Sequence, residues 1–313
     1  MRFFKKAKKK NCWLTIAILG DGVACASVRR PSAGKPVVDL LHFFPQPAGA
    51  DTLEKIGREL RANDYQCLTV LGGGEYQVFA VDAPNVPGEE LKTAVRWRLK
   101  DMLDFHIDDA TIDVLAIPVD KSVASRASHG LFAVAARNAV IELRQNLFAT
   151  AKIDLSVIDI PETAQRNIAA MVEPEGRAVA MLSFGEHGGL LTVTFGGELY
   201  LSRRIDVSLT RLFDADQEKK HASFDKITLE VQRSLDHFDR QFHAISLARL
   251  VLAPSGASGL QEYLSSNLDT PVETLDLATV LDLAGTPELA DAALQQQFFL
   301  VLGAALRHEE TLL

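Results

Sequence analysis

The sequence lacks the features that mark several large classes of protein. It has only 3 cysteines in 313 residues, an odd number without metal-ligand spacing, which argues against a disulfide scaffold or a zinc site. Its apolar runs are far shorter than the roughly 20 residues needed to cross a bilayer. No secretory signal is recognisable, because a strand-like segment follows the basic start in place of a leucine-rich stretch. These absences predict a cytosolic protein with reduced cysteines.

Basic charge is scarce outside the first ten positions. The formal net charge is −8, yet positions 1–10 hold six basic residues and no acidic one. Without those six, 27 basic residues stand against 41 acidic ones, a balance of −14. This net negative charge of the rest of the chain argues against nucleic acid as the main partner. The six basic residues are Arg2, Lys5, Lys6, Lys8, Lys9 and Lys10.

Two interpretations fit this basic N-terminal tail. It is a solvated, frayed terminus, or it touches an anionic membrane surface together with Phe3 and Phe4. In the second case each basic residue close to the surface contributes about 1 kcal/mol. The whole chain, with 47% apolar and 24% charged residues, has the composition of a globular protein large enough for two or three domains.

Two glycine-rich turns follow apolar strands in matching positions. The segment 13–19 runs into Gly20-Asp21-Gly22, and the segment 178–184 runs into a turn that begins with Gly185 and Glu186. A second strand-like run follows each turn, so the pattern predicts two hairpins and a loose repeat of one topology. A dinucleotide-binding site is a poorer interpretation of the first turn, because no helix follows it.

The segment between the repeats has the order of a small α/β module. A helix is predicted over 89–103, where Leu91, Val95, Leu99 and Met102 fall at helical spacing. The triplet Gly72-Gly73-Gly74 before the module looks like a phosphate-binding loop. Neither a Lys-Ser/Thr pair nor a helix follows it, so we expect a hairpin turn there.

Several weak motifs in this order resemble the PilM-like proteins of type IV pilus assembly, and among them those of the MSHA pilus. No single motif is specific, and the resemblance rests on their order along nearly the whole chain. The motifs are the basic start 1–6, the proline-bracketed turn 82–87, the segments 89–97 and 105–109, the strand 131–136, the segment 158–164 and Arg233-Ser234-Leu235.

The resemblance implies an α/β fold of the actin-like (ASKHA) type, with two RNase H-like halves and a small inserted α/β module. The expected division is a basic tail at 1–12, a first half at 13–75 and 157–175, the module at 76–156, and a second half at 176–313. Such proteins lie at the cytoplasmic face of the bacterial inner membrane. They bind the cytoplasmic tail of a single-pass membrane protein of the PilN type, within the pilus assembly machinery.

In these proteins the groove for the tail lies between the module and the first half. By this analogy Trp97, Arg98 and Phe105 are the candidate partner-binding residues. Tryptophan and arginine often anchor protein interfaces, although a tryptophan is as frequently part of a core.

The resemblance also implies a nucleotide site, and this sequence departs from it. An actin-like ATPase carries an acidic residue near the end of each repeated strand, whereas Ala17 and Ser183 occupy the equivalent positions here. Without a carboxylate near magnesium, both metal binding and water activation weaken. The expected vestigial nucleotide site consists of Gly20, Asp21, Gly22, Ser183, Gly185, Glu186, Ser255 and Gly256.

The sequence therefore predicts a scaffold and pseudo-ATPase without catalytic residues or a metal site, and leaves weak binding of ATP with magnesium open. Two alternatives remain. One is an active ATPase or sugar-kinase-like phosphotransferase of the same superfamily, which would need a catalytic aspartate. The other is a filament-forming protein of the same fold, which would sediment on addition of ATP.

Overall fold

The computed structural model describes residues 12–118 and 130–308. The predicted basic tail, apart from Cys12, lies outside the described residues. The strands are β1 Trp13–Leu19, β2 Gly22–Arg29, β3 Val37–Phe44, β4 Gln66–Val70, β5 Tyr76–Asp82, β6 Ala110–Ala116, β7 Gly130–Arg137, β8 Leu155–Asp159, β9 Ala178–Gly185, β10 Gly188–Phe195, β11 Glu198–Ile205, β12 Leu247–Leu252 and β13 Val272–Thr274. The α-helices are α1 Ala50–Glu59, α2 Gly88–Leu99, α3 Asn138–Thr150, α4 Pro161–Val172, α5 Gln217–Gln241, α6 Leu260–Asn267 and α7 Ala292–Ala305.

Two sheets repeat one topology. The first has the strand order β3-β2-β1-β4-β8 and the second the order β11-β10-β9-β12-β13. In each sheet three antiparallel strands are followed by two parallel ones. Both predicted hairpins form, β1 with β2 and β9 with β10, because long apolar runs on either side of a glycine turn pair with each other. The predicted repeat is confirmed.

The inserted module has a sheet of its own, in the order β5-β7-β6. Helix α2 covers one face of this sheet with the buried side chains of Val95 and Leu99. The helix ends at Leu99, earlier than the predicted residue 103, and Met102 is exposed. The prediction that the glycine triplet closes a hairpin was wrong, because β4 pairs with β1 and β8 in the first sheet whereas β5 pairs with β7.

Strand β8 and helix α3 connect the module to the first half. The whole of β8 pairs with β4, so the first sheet includes Leu155, two positions before the expected boundary at 157. At the end of α3, Phe148 is fully buried in one apolar cluster with Leu14 and Ile56 of the first half. The C-terminal part of α3 thus belongs to the core of the first half.

Helices α4 and α7 connect the two halves. Helix α4 packs against β9, β10 and β11 of the second sheet, and α7 packs against β1 and β2 of the first. The two helices touch each other at Gly303, where an added Cβ would lie 2.3 Å from the carbonyl oxygen of Ala164. This close approach of two backbones requires glycine at position 303. None of the described helices has the length and apolar character needed to cross a bilayer.

Candidate functional site

A cleft of about 380 Å³ opens between the two halves. Its walls are the β1–β2 turn, the β9–β10 turn, the glycine turn after β4 and one side of α7. Its lining is mostly apolar, with a few polar side chains at the turns. The polar and charged residues that line it are Asp21, Ser183, Glu186, His187, Arg204, Gln296 and Gln297.

The turns of the two halves touch each other at the mouth of the cleft. A Cβ added to Gly20 would lie 2.9 Å from Oε1 of Glu186, so the Glu186 carboxylate rests against the first turn. A Cβ added to Gly73 would lie 3.0 Å from Cβ of His187 and 3.1 Å from Nη1 of Arg204. Glycine at these two positions therefore permits the turns to meet.

The structure brings five of the eight candidate nucleotide-site residues together. The five that line the cleft are Gly20, Asp21, Ser183, Gly185 and Glu186. Gly22 instead packs against the first sheet, since an added Cβ would lie 2.2 Å from the carbonyl oxygen of Phe44. Ser255 and Gly256 are also absent from the lining, which Pro254 reaches in their place. The Ser255 hydroxyl accepts a hydrogen bond from the amide of Ala257.

The two positions expected to be acidic in an ATPase have neutral surroundings. Ala17 is buried in an apolar cluster that includes Phe299 of α7. The hydroxyl of Ser183 donates to Oε1 of Gln165, a buried side chain of α4. Nε2 of Gln165 in turn donates to the carbonyl of Met181 at 2.8 Å. Ser183 is thus part of a closed neutral network at the base of the cleft.

The side chains of Glu75 and Arg144 stabilise the glycine turn. The amide of Gly72 donates to Oε2 of Glu75 at 2.7 Å, and Nη2 of Arg144 lies 2.7 Å from both oxygens of the same carboxylate. Arg144 comes from α3 and is buried. Because Glu75 already accepts from Gly72, that amide has a partner without any phosphate.

Sequence reasoning missed a buried polar cluster beside the cleft. Glu162, in the first turn of α4, accepts hydrogen bonds from the Tyr76 hydroxyl and from Nη2 of Arg204, the latter at 2.9 Å. Nη2 of Arg204 also donates to the Tyr76 oxygen, and its guanidinium lies 5.2 Å from the centroid of the tyrosine ring. Tyr76 and Arg204 are 128 positions apart, so no local pattern relates them.

The environment of this cluster keeps the tyrosine protonated. Burial raises the pKa of Tyr76 well above its ordinary value, and the neighbouring Glu162 carboxylate raises it further, against the opposing effect of Arg204. The neutral phenol is therefore the donor to Glu162. The acidic side chain at the start of α4 is also favourably placed for the helix dipole.

The candidate partner-binding residues all lie in the module. Trp97, on α2, is 71% exposed. Nη1 of Arg98 donates to the carbonyl of Asp82 at 3.0 Å. Phe105 is half-buried against the core of the module, with the Arg137 guanidinium 4.3 Å from its ring centroid. Within residues 12–118 and 130–308, no group of three or more His, Cys, Asp and Glu side chains is arranged to hold a metal ion.

Comparisons with known proteins identify the fold. No protein-family model matches the sequence, and no curated protein matches it. A chain of the solved PilM-PilN type IV pilus biogenesis complex is similar over 97% of this chain and 99% of its own, with a TM-score of 0.72 and 19% identity. A Bacteroides thetaiotaomicron protein with an actin-like ATPase fold and unknown function is similar over 93% of this chain and 99% of its own, with a TM-score of 0.50 and 10% identity.

The repeated sheets and the cleft between them define an actin-like fold, as the sequence predicted. More narrowly, the fold is PilM-like, because the similarity to the chain from the PilM-PilN complex extends over nearly the full length of both chains.

Proposed function

We propose that this chain is a scaffold that docks the cytoplasmic tail of a PilN-type inner-membrane protein during type IV pilus assembly. The observation that carries this proposal is the similarity to a chain of the PilM-PilN complex. The similarity covers 97% of this chain and therefore includes the inserted module. In this role the protein works in the cytoplasm, against the inner face of the bacterial inner membrane.

The exposed surface of the module supplies the contacts for the tail in this proposal. Trp97 is 71% exposed on α2, and Arg98 lies beside it in the sequence. Burying a large aromatic side chain against a partner is favourable, and tryptophan and arginine are enriched among residues that dominate binding energy. Phe105, whose ring centroid lies 4.3 Å from the Arg137 guanidinium, is the third proposed contact residue of the module.

Intrinsic fluorescence tests the docking directly. Trp13 is buried and Trp97 is exposed, so binding of a synthetic tail peptide at the module should shift the emission of Trp97 to shorter wavelength. Trp97→Ala should weaken the tail affinity at least roughly tenfold, since a central aromatic anchor contributes 2 kcal/mol or more to binding. Phe213→Ala is the matched control, because Phe213 is 55% exposed on the second half and should leave the affinity unchanged. A tail peptide that fails to bind the parent protein would overturn the proposal.

We also propose that the cleft is a degenerate nucleotide site and that the protein is a pseudo-ATPase. Magnesium bound to a triphosphate prefers carboxylate oxygens, and Ala17 and Ser183 offer none at the base of the cleft. The Gly72 amide already has an acceptor in Glu75, and the Glu186 carboxylate rests against Gly20 in the first turn. These residues fit a magnesium-bound triphosphate poorly.

Calorimetric titration with Mg-ATP tests this second proposal separately from the first. We expect no measurable heat of ATP binding and no phosphate release from a protein that still binds the tail peptide. Micromolar affinity or turnover would instead favour the alternative, an active actin-like ATPase or phosphotransferase in which Asp21 and Glu186 replace the missing acids. Sedimentation after addition of ATP would identify a filament-forming protein.

The most specific part of the proposal is the identity of the pilus that the protein serves. We propose the MSHA pilus and a role like that of its biogenesis protein MshI, on the basis of the motif order described under Sequence analysis. Competitive binding of tail peptides decides this point. Tighter binding of a PilN-type tail from another type IV system than of the tail from the MSHA system would contradict it.

A further inference from the structure

We propose that Tyr76, Glu162 and Arg204, named here the junction cluster, hold the inserted module against the second half and hold the turns at the mouth of the cleft together. The three residues come from three parts of the fold. Tyr76 begins β5 of the module, Glu162 lies in the first turn of the connecting helix α4, and Arg204 lies on β11 of the second half.

Burial makes this cluster sensitive to the loss of any member. Glu162 is fully buried and Tyr76 is 6% exposed, whereas the side chain of Arg204 is 38% exposed and reaches the cluster from the surface. A buried carboxylate is stable only when it is paired and hydrogen-bonded. Arg204 provides the positive charge at 2.9 Å, and the Tyr76 hydroxyl donates to the second carboxylate oxygen. Separating the module from the second half would therefore remove the Tyr76 donor and leave one oxygen of a buried carboxylate without its hydrogen bond.

Apolar contacts reinforce the same junction. Ile117 and Phe132 of the module are buried in one cluster with Ile205 and Phe224 of the second half. This interface adjoins the polar cluster, since Ile205 follows Arg204 directly on β11.

The turns at the mouth of the cleft meet close to the same junction. Position 73 lies tightly against the second half, because a Cβ there would lie 3.0 Å from Cβ of His187 and 3.1 Å from Nη1 of Arg204. Arg204 thus contacts the glycine turn of the first half as well as the junction cluster. Release of Arg204 should free the glycine turn and the β9–β10 turn together.

The test measures the distance between the module and the second half, together with local hydrogen exchange, in the full chain. Nitroxide labels at Thr93→Cys on α2 and Gln232→Cys on α5, both exposed positions, report the distance between module and second half. Cys12→Ser removes the half-buried thiol, and the other two cysteines are buried. Arg204→Met should lengthen or broaden this distance. It should also speed amide exchange at 72–74 and 185–188 by roughly tenfold or more, because the buried Glu162 carboxylate would lose its charged partner.

Arg203→Met is the matched control, since Arg203 is exposed on the same strand and, among the described residues, donates only to the carbonyl of Ser202. It should change neither readout. The double variant Glu162→Gln, Arg204→Met removes the unpaired charge and should show a smaller change than Arg204→Met alone. An Arg204→Met protein with the same distance and exchange as Arg203→Met would overturn the proposal. So would faster exchange spread evenly over both halves without a change in distance.

Tyr76→Phe decides the question if Arg204→Met does not fold. This variant removes one hydroxyl and keeps the ring against Arg204. It should shift the distance and the exchange of the two turns in the same direction as Arg204→Met, by a smaller amount. Unchanged values for both measurements in Tyr76→Phe would overturn the proposal.

Discussion

The hydroxyl of Ser183 donates a hydrogen bond to Oε1 of Gln165, which reaches from α4 into the second sheet. Nε2 of the same amide donates to the carbonyls of Met181 and Leu190, and to Oγ1 of Thr192. One buried side chain of the connecting helix thus satisfies polar groups on both β9 and β10. Ser183, for which the resemblance to actin-like ATPases led us to expect an acidic residue, is part of this neutral network.

Gln165→Leu should lower the free energy of unfolding by about 3 kcal/mol, because each buried polar group left without a partner costs about 1–3 kcal/mol. Urea unfolding followed by circular dichroism measures this loss. Gln232→Leu, at an exposed position on α5, is the control and should change stability by no more than about 0.5 kcal/mol. Equal effects of the two substitutions would show that the Gln165 network contributes nothing specific.

Strands β1 and β9 were predictable because they are continuous apolar runs that end at glycines. The β1 range agrees with the sequence expectation, and both hairpins formed where the glycine turns predicted them. Helix boundaries were less certain. The helix predicted over 89–103 instead spans Gly88–Leu99. Its apolar spacing continues to Met102, so the periodicity alone did not show where the helix ends.

Only the cleft residues that lie at the ends of strands were predictable from the sequence. Gly20, Asp21 and Gly185 line the cleft because the ends of repeated strands meet there. The junction cluster was not predictable, because Tyr76 and Arg204 carry no local pattern and meet only through tertiary packing. Gln165 was missed for the same reason, as an amide within an amphipathic helix has no distinctive spacing.

Gly303→Ala should destabilise the protein by about 1–3 kcal/mol, the usual cost of overpacking a close contact. The substitution gains about 1 kcal/mol of helix propensity. That gain is outweighed, because the new Cβ would lie 2.3 Å from the carbonyl oxygen of Ala164 and neither helix backbone can move away easily. Thermal unfolding measures the difference.

Gly57→Ala, in α1, is the control for Gly303→Ala. Its Cβ would meet a flexible side chain atom, Cγ1 of Ile153, at 3.2 Å. This substitution should be close to neutral, because the gain in helix propensity offsets a contact that Ile153 can relieve. A Gly303→Ala protein as stable as the parent would mean that α4 and α7 separate without cost.

Alkaline pH should destabilise the protein through Tyr76. The pKa of Tyr76 is raised in the folded state, mainly by burial, so this contribution to stability is complete below the unfolded pKa of about 10. Above that pH the unfolded chain loses the phenolic proton and the folded chain keeps it. Stability should then fall by about 1.4 kcal/mol per pH unit from this group until the folded pKa is reached.

Urea unfolding between pH 8 and pH 11 compares the parent with Tyr76→Phe, which should lose less stability per pH unit above pH 10. Tyr263→Phe is the control. The pKa of Tyr263 is raised mainly by its hydrogen bond to Asp225 at the surface, where solvent screens the effect. It should therefore change the slope far less. Parallel pH profiles for the parent and Tyr76→Phe would contradict the assignment.

The basic N-terminal tail should increase binding to anionic vesicles. Each basic residue near a negatively charged surface contributes about 1 kcal/mol, and six such residues lie within positions 1–10. Replacing Lys5, Lys6, Lys8, Lys9 and Lys10 with serine should abolish co-flotation with phosphatidylserine vesicles, as should high salt, because the attraction is screened within a Debye length. Neutral phosphatidylcholine vesicles should bind neither protein. Equal flotation of the parent and the serine variant would favour the alternative interpretation, a solvated tail that makes no membrane contact.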